Sequence, residues 1–137
     1  AMGYMTPCTK PDEILTEVSF NSWPAGHGFD FREFAQRHGD FAIAGVGTLL
    51  TLNSDNRINR IAAVLIGVDY KPVRLTEIEV ALTGQIASEE LFREAGESAR
   101  KLDMMEDALI PESYRKQLAS VLLRRSLISA SKRATRG

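Results

Sequence analysis

Two glycines in a stretch of small apolar residues have a spacing that is found in phosphate-binding loops. The run AIAGVGTLLTL, residues 42–52, holds Gly45 and Gly47 in the Gly-x-Gly spacing of a loop that cradles phosphate. A dinucleotide-binding fingerprint needs a third glycine three residues later, and that position holds Leu50. Because a polar turn and a second apolar run follow, we interpret both glycines as strand residues that allow a close neighbour or a bulge.

The residues that commonly act as catalytic groups or metal ligands form no recognisable pattern. The two histidines and the single cysteine lack the spacing of a zinc site, and the sequence contains no Gly-x-Ser-x-Gly, P-loop or HExxH motif. Asp103, Glu106 and Asp107 cluster between two predicted helices and could in principle do acid–base work. Acids in such a loop are more simply interpreted as solvated, so we expect no catalytic residue and no metal site.

Basic residues are concentrated at the C-terminal end. From Pro111 onward the chain carries a net charge of +6, whereas the first 110 residues carry −7. Arg124 and Arg125 lie close to an apolar stripe, where they could complement the helix dipole, contact an acidic partner protein or bind phosphate. No aromatic residue follows Tyr114, so we predict no nucleic-acid binding and name Arg124 and Arg125 as candidate interface residues.

The overall composition is that of one globular domain. The chain has 137 residues, of which 44% are hydrophobic and 26% charged. Cys8 is its only cysteine, so an internal disulfide is excluded and a cytoplasmic location is the default. No apolar run approaches the roughly 18 residues of a membrane helix, so we predict no membrane association.

Strand patterns dominate the first half of the sequence. Residues 14–20 form a predicted short strand bounded by Pro11 and Asn21, and the stretch FDFREFAQRHGD at 29–40 has the apolar spacing of a short helix. Apolar runs at 41–52 and 57–68 flank the polar turn at 53–56, which predicts a β-hairpin.

Helical patterns dominate the second half. Thr76 and Glu79 fit a capping box for a first helix that ends at Gly84, Ser88 caps a second helix, and a third begins near Pro111. The predicted apolar stripe of the third helix consists of Tyr114, Leu118, Val121, Leu122 and Ile128. Strands followed by helices predict an α+β fold, a two-layer sandwich in which a small antiparallel sheet is covered on one face by three C-terminal helices.

Several segments, in this order, resemble one family. They resemble the C-terminal domain of the FAD-binding (medium) subunit of molybdenum hydroxylases, the group that includes carbon monoxide dehydrogenase and xanthine dehydrogenase. The upstream stretch GYMTPCTKPDEILTEVSF is similar to the end of the preceding FAD domain in that family. The marks are Arg37-x-Gly39-Asp40-Phe41 before the hairpin, Pro72-Val73-Arg74 after it, and Tyr114-Arg115, Leu122 and Arg124-Arg125 in the last helix.

The resemblance implies a sheet of three or four strands and a role in electron transfer. In the family, substrate is oxidised at a molybdenum cofactor in a large subunit, and electrons pass through iron–sulfur clusters to FAD and then to an acceptor. It divides this chain into a tail at 1–25, from the end of the FAD domain, and a C-terminal domain at 26–137. Because the family's glycine-rich FAD motifs lie upstream, we expect a piece of a longer oxidoreductase subunit that binds no cofactor alone.

The resemblance also suggests one cofactor contact and a set of partners. Family members often carry a lysine near the flavin before the Arg-x-Gly-Asp motif, where Arg32 or Glu33 stands here, so Arg32 is a candidate FAD contact in the full subunit. The expected partners are the FAD domain and the molybdenum and iron–sulfur subunits. The alternative is a stand-alone interaction module that kept the fold without flavin. Apolar surface left by a missing domain could form a homodimer.

Overall fold

Four strands and three helices form the domain in a computed structural model that describes residues 7–135. The strands form one antiparallel sheet in which each strand pairs with the next one along the chain. The pair at the centre of the sheet confirms the predicted hairpin. The elements are β1 (Gly28–Ala35), β2 (Ala42–Leu52), β3 (Ile58–Ile66), β4 (Val73–Arg74), α1 (Thr76–Leu82), α2 (Glu89–Ala99) and α3 (Glu112–Arg133).

The helices cover one face of the sheet and leave the other open, which confirms the predicted α+β fold. Side chains alternate between the two faces along each strand apart from a bulge between β2 and β3. The side chains of these two strands that enter the core are Ala44, Val46, Leu50, Leu52, Ile58, Ile61, Ala63 and Leu65. The largest completely buried side chains are Phe92, Leu50, Ile58, Leu65, Leu123 and Leu127. The core therefore lies in a single layer between the sheet and the helices.

The sequence predictions of a strand at residues 14–20 and a helix at residues 29–40 are wrong. Residues 14–20 form no strand, because alternation stabilises a strand only beside a partner and no described segment pairs with them. Residues 29–40 are not helical, since β1 occupies their first half and pairs with β2. Gly28 shows why β1 lies where it does, because a Cβ there would stand 1.8 Å from the backbone oxygen of Ala130 in α3.

The helix starts are partly as predicted. Ser88 caps α2, where its Oγ accepts a hydrogen bond from the Leu91 N–H at 3.2 Å. The capping box of Thr76 and Glu79 is wrong, because Thr76 is already helical and no side chain caps α1. The Glu79 carboxylate instead accepts the Ala63 N–H at 2.7 Å and pairs with the Arg74 guanidinium, which ties α1 to the sheet.

The buried side of α3 differs from its predicted apolar stripe. Tyr114 and Val121 are 37% and 39% exposed. The buried side instead carries Arg115, Ala119, Ser120, Leu122, Leu123, Ser126, Leu127 and Ala130. Small residues on this side let α3 approach the backbone of β1 closely, and this close approach decides which side faces the sheet.

Candidate docking surfaces

The open face of the sheet is an exposed apolar surface. Phe29 and Phe31 of β1 are 56% and 61% exposed on it, although both are large aromatic side chains. They border a shallow depression of about 500 Å³ whose lining includes Gly47 of β2 and Val64 of β3. A contiguous apolar surface of this kind on a small domain usually marks a contact with another protein or domain.

Trp23 lies at the rim of this depression, in the chain that leads into β1. The guanidinium of Arg60 in β3 lies 4.3 Å from the centre of the indole ring. His27 stands between two other aromatic rings, with its centroid 6.0 Å from that of Trp23 and 6.3 Å from that of Phe29. Since β2 separates β1 from β3, residues 23–28 pass across the end of the open face.

Arg32, the candidate FAD contact, lies in β1 on the side of the sheet that the helices cover. Its Nε donates a hydrogen bond of 2.6 Å to the buried carboxylate of Asp30. Arg133 at the end of α3 approaches the same carboxylate at 3.6 Å. By strand alternation, Phe31 and Glu33 point to the open face while Arg32 points away from it.

Arg124 and Arg125 are exposed on the outer side of α3. Among residues 7–135 no carboxylate lies within 4 Å of either guanidinium. A hydrogen bond from Arg93 lowers the pKa of Glu90 at the start of α2, and the charge of Arg124 adds slightly to this lowering. Together with the part-exposed Val121, the two arginines form what we name the basic surface.

Arg115 was noted in the sequence only as a mark of the family resemblance, and its buried role was not predicted. It is 4% exposed, and its Nη1 donates to the backbone oxygens of Ile43 at 2.6 Å and Gly67 at 2.7 Å. Its Nη2 donates to Asp107 at 2.6 Å. Two backbone N–H groups, and then Arg115, lower the pKa of Asp107, which is therefore not merely a solvated acid. The spacing of Arg115, Ala119 and Leu123 was the available signal.

The described part of the chain offers little for catalysis or metal binding. No group of three or more His, Cys, Asp or Glu side chains within residues 7–135 could hold a metal ion. Nδ1 of His27 lies 2.8 Å from the backbone oxygen of Pro24, and Cys8 is an exposed free thiol. None of the helices described has both the length and the hydropathy that crossing a membrane requires.

Comparison with known proteins gives this arrangement a family context. Residues 29–130 match the family described as the CO dehydrogenase flavoprotein C-terminal domain. The chain is 34% identical over 131 residues to the nicotine 6-hydroxylase medium subunit of Paenarthrobacter nicotinovorans, which covers 95% of this chain and 45% of that protein. It is 29% identical over 125 residues to 6-hydroxypseudooxynicotine dehydrogenase complex subunit alpha of the same organism, covering 90% and 42%.

A solved structure agrees with these matches. Reconstituted CO dehydrogenase from Oligotropha carboxidovorans superposes with a TM-score of 0.87 at 26% identity, covering 97% of this chain and 46% of that one. The chain thus spans less than half of the length of the curated relatives cited above. Since the family match spans most of the chain, the chain belongs to the family of C-terminal domains from the flavoprotein (medium) subunits of carbon monoxide dehydrogenase and related molybdenum hydroxylases.

Proposed function

We propose that the chain is the docking domain of an FAD subunit in a molybdenum-containing dehydrogenase. In this role it supports electron transfer from iron–sulfur clusters through FAD to an acceptor, and it is not catalytic by itself. The observation that carries the proposal is the open face of the sheet, where Phe29 and Phe31 are exposed beside the chain that leads into β1.

The open face suits a preceding FAD domain. The relatives are more than twice as long as this chain, and the matching family is a C-terminal domain, so their remaining length precedes the matched part. Residues 1–25 are then the end of the FAD domain, and 26–137 the docking domain. Burial of one large aromatic side chain at such an interface contributes about 1.5–3 kcal/mol.

Contacts with FAD itself are a further part of the proposal. Arg32 would reach the cofactor only in the longer subunit, and its ion pair with Asp30 on the helix side opposes that contact. Phe31 is better placed, because it points from the open face towards the side where the preceding domain would pack. The chemistry that FAD supplies when bound is transfer of electrons to the acceptor, and this domain's residues would only shield and orient it.

The basic surface is a second docking surface in the proposal. No carboxylate within residues 7–135 lies within 4 Å of Arg124 or Arg125, and both arginines lie on the opposite layer from the open face. A molybdenum or iron–sulfur subunit could therefore occupy the basic surface while the FAD domain occupies the open face. A cytoplasmic location and a homodimer of the isolated chain through its open face complete the proposal.

Reconstitution in trans tests the main proposal. The separately purified FAD domain of the parent subunit is expected to co-elute with this chain in size-exclusion chromatography. Phe31→Ser should weaken that association about tenfold or more, because an aromatic contact is lost. Val80→Ser is the control, since Val80 is also an exposed apolar residue but lies on α1 in the other layer. Absence of association, or equal weakening by both substitutions, would contradict docking through the open face.

The alternative is a stand-alone interaction module that kept the fold without flavin. An upstream reading frame that continues into a glycine-rich FAD domain favours the docking domain, whereas a stop codon beside a ribosome-binding site favours the module. Titration of this chain with FAD, followed by flavin fluorescence, adds a direct measurement. Micromolar binding would mean that the domain itself carries part of the flavin site, with Arg32 the first residue to substitute, whereas no change in fluorescence fits a docking domain whose flavin site lies in the preceding domain.

A further inference from the structure

Residues 23–28 are fastened to the domain from two sides, although the chain before them is exposed. Every residue from 10 to 22 is exposed, while Trp23 is half-buried. We name the N-terminal clamp as Trp23 and Gly26 together with the two residues that hold them, Arg60 and Thr135.

One side of the N-terminal clamp comes from the end of α3. The N–H of Thr135 donates to the backbone oxygen of Gly26 at 2.9 Å, and its Oγ1 lies 3.3 Å from the same oxygen. Gly26 has a φ of +79°, which glycine adopts readily, and a Cβ there would lie 2.1 Å from Thr135 Oγ1. Just beyond, Arg133 donates to the backbone oxygen of Phe29 at 2.9 Å.

The other side comes from the sheet. Arg60 of β3 stacks on the Trp23 ring at 4.3 Å, on the far side of β2 from β1. A turn at 24–27 connects these two sets of contacts, and the hydrogen bond from the His27 N–H to the Pro24 oxygen at 3.3 Å closes it. The approaching chain is thereby held along the rim of the open face by contacts from both the sheet and the segment after α3.

We propose that the N-terminal clamp fixes the direction from which the preceding chain approaches, so that the preceding domain meets the open face in one orientation. The orienting of a preceding domain rests on the proposed function, whereas the contacts of the N-terminal clamp lie within this chain. Domains joined by a flexible linker move relative to one another unless their interface is large. A linker fixed at its last residues removes most of that freedom and raises the effective concentration of the two surfaces.

The sequence supplies its own probe, because Trp23 is the only tryptophan. Acrylamide quenching and time-resolved anisotropy of this chain report how often the ring leaves Arg60. Arg60→Ala is expected to raise the detached fraction about two- to fivefold, the ratio that corresponds to loss of one exposed cation–π contact. Gly26→Ala should also raise it, because the substitution strains the backbone and crowds Thr135.

Two matched controls separate a clamp from general destabilisation. Arg100→Ala removes an exposed arginine at the C-cap of α2, and Gly39→Ala places alanine at a φ of +83° with no atom within 4 Å of its Cβ. Neither should alter Trp23 quenching, and circular dichroism should show all four variants folded. Wild-type quenching as fast as that of free N-acetyltryptophanamide, or equal quenching in Arg60→Ala and wild type, overturns the clamp. Since no flavin domain takes part, failure here is distinct from failure of reconstitution in trans.

Discussion

Replacing Arg115 by methionine should remove the central polar connection of the domain. Methionine keeps most of the apolar volume of the arginine stem, so the substitution deletes the donors without opening a large cavity. It leaves the backbone oxygens of Ile43 and Gly67, which lie side by side at the open end of the β2–β3 hairpin, without the guanidinium that now joins them. It also releases Asp107, which holds the loop before α3.

The magnitude follows from what remains buried. A buried acceptor that loses its partner costs about 1–3 kcal/mol, and removing one member of a buried charged network costs about 3–5 kcal/mol. The contact with Ile43 is fully buried and that with Gly67 partly so, whereas the half-exposed carboxylate of Asp107 is rehydrated. We therefore expect a loss of about 3 kcal/mol, a large share of the roughly 5–15 kcal/mol by which such domains are stable.

Urea unfolding followed by circular dichroism measures this loss. With a slope of about 1–3 kcal/mol per molar urea, the midpoint should fall by roughly 1–3 M. Arg100→Ala is the control, because an exposed arginine should change stability by no more than about 0.5 kcal/mol. Arg115→Lys should be intermediate, since one ammonium cannot reach three separate acceptors. A midpoint for Arg115→Met equal to that of Arg100→Ala would refute the reasoning.

Three other predictions concern stability. The pKa of Asp107 lies below the ordinary 3.8, so its contribution to the free energy of unfolding is complete above pH 3.8 and is lost as the pH falls through the lowered pKa of the folded state. Asp107→Asn should therefore reduce the fall of the unfolding free energy in acid, and an unchanged fall would count against this. Gly28→Ala should cost at least about 3 kcal/mol by thermal unfolding, whereas Gly47→Ala should be tolerated because its Cβ makes only ordinary contacts from 3.4 Å. Thr48 and Ser126 share a buried hydrogen bond of 2.6 Å, so a double-mutant cycle of Thr48→Val and Ser126→Ala should show coupling of about 1 kcal/mol, and additivity would exclude it.

Local signals account for the parts of the fold that the sequence predicts well. The hairpin follows from two apolar runs and a polar turn, and Ser88 caps α2 through a bond that spans three residues. The prediction for β1 is wrong because contacts with residues far away in the sequence decide that this segment is a strand. Only glycine fits at position 28, because the backbone of Ala130 lies so close, and the strand forms by pairing with β2. Neither contact can be read from residues 29–40.

The candidate surfaces were harder to predict for the same reason. Phe29 and Phe31 are exposed neighbours on one face only after β1 is known to be a strand. Arg124 and Arg125 were identifiable because charge concentration is a property of sequence itself. Asp107 looked like a solvated loop acid, because only the structure shows that Arg115 is buried and donates a hydrogen bond to it.

The basic surface has a kinetic consequence as well. A domain with excess positive charge on one helix and excess negative charge elsewhere has a large electric dipole, which turns it towards a charged partner before contact. Rim charges of this kind act mainly on the association rate constant, while the buried centre of an interface governs dissociation. Partners that meet α3 should therefore bind more slowly as ionic strength rises, with a nearly constant lifetime once bound.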